Sequence, residues 1–119
     1  MPGKENRQTA VVVERTYDFL LWLLPKVEKF PRSFRFTVGD RAAGVGLDLL
    51  LVLVEAAYTP EKAQLLEAAS RHANGLRYLL RLAKDLKLLP LDSYGFGAER
   101  LDEIGRMIRG WEKSVRSRK

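Results

Sequence analysis

Cysteine is absent from this 119-residue chain. Its absence removes disulfides, thiolate zinc sites and thiol nucleophiles together. Histidine occurs once, at His72. A metal site needs converging ligands and no partner motif accompanies it, so His72 reads as a packed or partly exposed helix residue. A nucleophilic Ser or Thr would need His72 as its base, and no spacing brings one to it. Long apolar runs are also missing. The longest, Val45 to Val54, is broken by Gly46 and Asp48 and falls far short of the roughly 20 residues of a membrane span. Strand patterns are scarce: Phe34 to Val38 alternates, but it is short and has no partner run. Gly95-Phe96-Gly97 lacks the preceding strand and third glycine of a nucleotide loop. Met1-Pro2-Gly3-Lys4 leads into polar residues rather than an apolar signal core. These absences predict no enzyme, no cofactor, no metal and no membrane contact, in a cytoplasmic protein.

What the chain does have is charge of one sign in one place. Residues 1–70 carry nine Lys/Arg and nine Asp/Glu, whereas residues 71–119 carry twelve and six, so the whole excess of +6 lies in the second part. The rest of the composition, 46% hydrophobic and 30% charged, suits one domain with a single core.

Periodicity predicts four helices within a domain at 10–115, flanked by a disordered tail at 1–9 and a basic tail at 116–119. The first helix is expected from Ala10 to Lys29, with Leu20, Leu23, Leu24 and Val27 inside and Phe19 and Trp22 beside them. Pro25 should kink it. Ser33 is the expected N-cap of the second helix, which runs from Phe34 to Tyr58. Thr59-Pro60 should open the third helix, with Pro90 closing it. Its inner face is Leu65, Leu66, Ala69, Ala73, Leu76, Leu79, Leu80, Ala83 and Leu86. Leu91 to Gly97 reads as a loop. The fourth helix, from Ala98 to Val115, buries Leu101, Ile104, Ile108, Trp111 and Val115. Short connections between long amphipathic helices favour an all-α, antiparallel up-down-up-down four-helix bundle.

The second helix is too apolar for one core. Arg41, Asp48 and Glu55, spaced by seven, share a narrow polar face, and apolar residues fill about 240° of the rest. A monomer needs an arc only somewhat above 100°, so a homo-oligomer is expected. Gly44 and Gly46 suggest close backbone approach. Asp48 and Glu55 read as members of a buried or interfacial ion pair with Arg41 or another arginine rather than as a catalytic pair.

The basic residues fall at helical spacing. Arg77, Arg81 and Lys84 share one face of the third helix, with Lys87 near it. Arg106, Arg109, Lys113 and Arg116 fall within about 80° of arc on the fourth. A solvated face that complements the helix dipole is the plain alternative. Scarce acidic interruptions and more arginine than lysine favour phosphate contact with nucleic acid, RNA or DNA, without base specificity.

Four stretches resemble one family. Tyr17-Asp18-Phe19-Leu20-Leu21-Trp22-Leu23-Leu24-Pro25-Lys26-Val27-Glu28-Lys29-Phe30-Pro31-Arg32-Ser33, followed by Phe36-Thr37-Val38-Gly39-Asp40-Arg41, is similar to the accessory variability determinant (Avd) proteins of diversity-generating retroelements. So are Leu76-Arg77-Tyr78-Leu79-Leu80-Arg81-Leu82-Ala83-Lys84 and Leu101-Asp102-Glu103-Ile104-Gly105-Arg106-Met107-Ile108-Arg109-Gly110-Trp111. The likeness covers about residues 11–113. The Phe30–Ser33 junction alone is shared with four-helix proteins encoded within ribosomal RNA intervening sequences. The resemblance implies a four-helix bundle assembled as a ring-like homo-pentamer with a positive surface. It also implies a non-catalytic partner of the retroelement reverse transcriptase that supports mutagenic copying of template RNA, or mutagenic retrohoming. Arg77, Arg81 and Lys84, then Arg106 and Arg109, are the contact residues for nucleic acid or partner that the resemblance implies, and the basic face of the fourth helix adds Lys113. The alternatives are a ribosomal RNA-associated bundle without a polymerase partner and a purely structural helical oligomer.

Overall fold

The computed structural model describes residues 4–117, with side chains over 11–117. Four long helices make the body: α1 (Lys4–Glu28), α2 (Asp40–Ala57), α3 (Ala63–Asp85) and α4 (Leu91–Ser117). Among the described residues there is no strand. Each helix packs against two neighbours, α1 on α2 and α4, and α3 on α2 and α4. The cross-section is therefore a closed square, and the α1/α2 edge lies opposite the α3/α4 edge. The molecule is elongated, 47 × 23 × 19 Å.

The apolar stripes meet in one core. Phe19, Leu23, Leu49, Leu53, Leu66, Leu76, Leu80, Leu101, Ile104, Ile108 and Trp111 are nearly free of solvent contact. Thr16 is the one buried polar residue among those described, and its hydroxyl donates to Val12 O at 2.8 Å. That intrahelical bond removes the cost of burying the group. Trp22, Leu65, Leu79 and Val115 pack at the core margin and are half-buried, whereas Leu24, expected inside, is half-buried without joining them.

The helix ends differ from the expected ones, each for a local reason. α1 begins at Lys4, within the stretch read as a tail, and runs through Pro25 to Glu28. Pro31, not Ser33, caps the following turn (Arg32–Phe34), since the Phe34 and Arg35 amides both donate to Pro31 O at 2.9 Å. Arg35–Gly39 is then π-helical. This wider turn sets Gly39 against α1, where an added Cβ would stand 3.0 Å from Val27 Cγ1.

α3 starts at Ala63 rather than Pro60. Thr59 makes only a local turn, accepting from the Glu61 amide at 3.3 Å. Lys62 folds back so that its ammonium donates to Ala56 O and Thr59 O at 2.8 and 2.7 Å. Those bonds satisfy one carbonyl in the last turn of α2 and one in the connection beyond it. α3 ends before Pro90. The Lys87 amide donates to Lys84 O and the Leu88 amide to Ala83 O, at 2.9 and 2.8 Å, with Lys87 at φ 64°. This is a Schellman closure built on lysine rather than glycine. It leaves Leu86, expected inside, exposed.

Leu91 to Gly97, expected as a loop, is the first two turns of α4. The Tyr94 amide donates to Pro90 O at 2.9 Å, and the Asp92 carboxylate accepts from the Ser93 amide at 2.8 Å. Pro90 therefore opens α4 instead of closing α3. α4 continues through Ser117, past the expected boundary at 115, while Arg118 and Lys119 lie outside the described residues.

Candidate nucleic-acid interface

The α3/α4 edge carries the basic residues. An unbroken helix presents Arg71, Arg77, Arg81 and Lys84 from α3, and another presents Arg106, Arg109, Lys113 and Arg116 from α4. All are exposed except Lys84, which is half-buried. From Arg71 to Lys84 the sequence contains no acidic residue.

These cations are not equivalent. Arg77 forms an ion pair across the groove with Asp102 of α4. Lys84 lies 3.4 Å from the Asp85 carboxylate and 4.8 Å from the centre of the Tyr94 ring. Both are partly neutralised or held down against the surface. Among the described residues, Arg81, Arg106, Arg109 and Lys113 enter no ion pair. Long cationic side chains in that state can exchange counterions for phosphates without first breaking an ion pair. Arg71, absent from the expected set, is a further exposed cation on the same helix. The acid-free stretch that contains it was available from sequence.

The opposite edge is apolar. On α2, Leu47 and Leu51 lie within about 20° of the direction opposite the buried Leu49, and Tyr58 follows at the helix's C-terminal end. Leu51 is 63% and Tyr58 88% exposed. On α1, Tyr17, Leu21 and Leu24 recur at spacings of four and three, and Leu24 lines the groove toward Ala43 of α2. Leu21 is 62% exposed. The apolar excess of the second helix thus remains outside the bundle core. Its polar strip does not become a buried ion pair: Arg41, Asp48 and Glu55 are all exposed, and none enters an ion pair with a described residue. The core takes its share of α2 through Ala42, Gly46, Leu49, Leu53 and Ala56, which leaves the strip outward.

Gly46 permits the approach expected of it, since an added Cβ would stand 2.8 Å from Leu20 Cδ2, whereas Gly44 faces open space. His72 is half-buried, and no group of acidic or histidine side chains suited to a metal occurs among the described residues. No described helix is long and apolar enough to cross a membrane.

The family profile described as bAvd-like matches residues 10–115, which include both edges and every basic residue named on them except Arg116. The chain belongs to the bAvd-like family. Its resemblance to accessory variability determinant proteins is borne out over nearly the whole bundle. No curated protein matches the sequence. The bAvd-like match takes in all of α2 and α3 and most of α1 and α4, so it covers the helices that build the square.

Proposed function

We propose that this bAvd-like protein is a non-catalytic accessory subunit of a diversity-generating retroelement. It binds the reverse transcriptase and the template RNA or its cDNA through the α3/α4 edge, and so supports mutagenic retrohoming. The observation that carries the reading is the opposition of two faces on one bundle, basic on α3/α4 and apolar on α1/α2. Self-association through the apolar edge would leave the basic edges pointing away from the contact. A ring-like pentamer, which the family resemblance implies, would then gather five chains of +6, or about +30, on one particle.

Such a surface holds nucleic acid by phosphate contact. Arginine and lysine release condensed counterions, so affinity falls steeply with salt and depends little on sequence. The reverse transcriptase holds the same polyanion, and a shared RNA or an acidic patch would place the two proteins together.

Filter binding of RNA at several salt concentrations tests this directly, with oligomeric state followed by light scattering. Arg81→Glu with Arg106→Glu should weaken binding and flatten the salt slope while leaving the assembly intact. Unchanged affinity and slope would show that the cations are only a solvated face. Co-purification with a reverse transcriptase encoded beside this chain tests the polymerase partnership, and its failure with both proteins folded would remove that part of the reading.

A further inference from the structure

The outer surface of α3 holds an aromatic ring among its cations. Tyr78 is 68% exposed, far from the core contacts made by Leu76 and Leu80 on the same helix. At 100° per residue, Arg71, Asn74, Tyr78 and Arg81 fall within about 80° of one another. All four are exposed. A helical side chain leans over the turn N-terminal to its own Cα, which for Tyr78 is the turn of Asn74 and Gly75. Gly75 has no side chain, and apart from its chain neighbours Asn74 and Leu76 no residue, Tyr78 included, brings a side-chain atom within 4 Å of where its Cβ would stand. The space beside the ring is therefore open, and the acid-free stretch from Arg71 to Lys84 surrounds it.

We propose that Tyr78 is a stacking platform for an unpaired base, and that the α3 surface therefore prefers single-stranded nucleic acid to duplex. The inference rests on the nucleic-acid reading above and specifies the ligand of that same surface. Each base offers a π-face whatever its identity, so stacking adds affinity without adding sequence preference. Arg71 and Arg81, on either side of the ring along the helix, are placed to meet the phosphates that flank a stacked nucleotide. A paired base is already stacked within its duplex and cannot use the ring without unpairing. The cationic contribution serves both forms of nucleic acid, and the ring contribution serves only one.

The test uses the full chain with a fluorescent single-stranded RNA of about a dozen nucleotides and a duplex of the same length, titrated by anisotropy. Tyr78→Ala should weaken single-strand binding by about fivefold or more and change duplex binding by less than about twofold. Tyr78→Phe should bind like the wild type, because the ring and not the hydroxyl makes the contact. Gly75→Leu fills the open space beside the ring and should reproduce the alanine loss in a helix that is otherwise intact. Equal loss for both ligands, or no loss for either, overturns the stacking role even where Arg81→Glu with Arg106→Glu still weakens binding. A change of oligomeric state in Tyr78→Ala also overturns it, since the ring would then be part of a protein interface. A wild-type protein that binds neither ligand sinks the nucleic-acid reading itself.

Discussion

Gly97 of α4 lies directly beneath the indole of Trp22 of α1. A Cβ built at Gly97 would stand 2.5 Å from Trp22 Cη2 and 2.7 Å from Cζ3. The ring also packs against Phe19 and Phe96, with ring centroids 5.7 and 5.6 Å away. It cannot move aside as the end of a flexible side chain could. Gly97→Ala should therefore destabilise the fold by about 1–3 kcal/mol, although alanine is the better helix former. Gly110→Ala is the control, because nothing lies within 4 Å of its Cβ position. It should stabilise by up to about 1 kcal/mol. Urea unfolding of both variants gives the comparison, and two shifts of the same sign would contradict the packing argument.

Lys87 closes α3 in the left-handed region, at φ 64°. A side chain there is strained by roughly 1 kcal/mol relative to glycine. Lys87→Gly should raise the melting temperature while keeping the amide bonds to Lys84 and Ala83. A lower melting temperature would show that the lysine side chain contributes more than its backbone strain costs.

Trp111 is the largest fully buried side chain. Trp111→Ala should cost about 3–5 kcal/mol by opening a cavity between the helices. Trp111→Phe should cost markedly less, because the indole N–H donates to no acceptor among the described residues. Denaturant midpoints of the two variants measure the difference, and equal losses would point to an indole hydrogen bond.

Leu47 and Leu51 project from the side of α2 opposite its core face. If the α1/α2 edge joins copies of the chain, Leu47→Lys with Leu51→Lys should dissociate the assembly without unfolding the subunit. Sedimentation velocity at micromolar concentration reads the change. A wild-type species near 13.6 kDa would mean that this edge joins no copies.

The Arg77–Asp102 pair is about half-exposed on both sides. Exposed pairs contribute between about 0 and 1 kcal/mol, so Arg77→Ala should barely alter stability. Because Asp102 already engages Arg77, removing the whole pair by Arg77→Ala with Asp102→Ala, which leaves the net charge unchanged, should reduce RNA binding less than Arg81→Ala does. A larger effect of the double change would show that the pair opens when nucleic acid binds.

The number of helices, most of the core and the location of the charge excess are legible in the residue order alone. These depend on local spacing: Leu101, Ile104, Ile108 and Trp111 repeat every three or four residues, and an α-helix places such residues on one side whatever lies opposite. The apolar surplus of α2 was legible for the same reason. The tertiary structure decided what spacing cannot carry. Gly97 suggested a loop until the Trp22 ring of another helix gave its missing side chain a purpose. Pro90 suggested a stop until its carbonyl was found opening α4. Arg77 and Arg81 look alike in sequence, and only the approach of α4 gives Asp102 to one and leaves the other open. Each of these outcomes depends on atoms brought together by packing between helices far apart in the chain or by the hydrogen bonding of a turn, and neither leaves a period in the sequence.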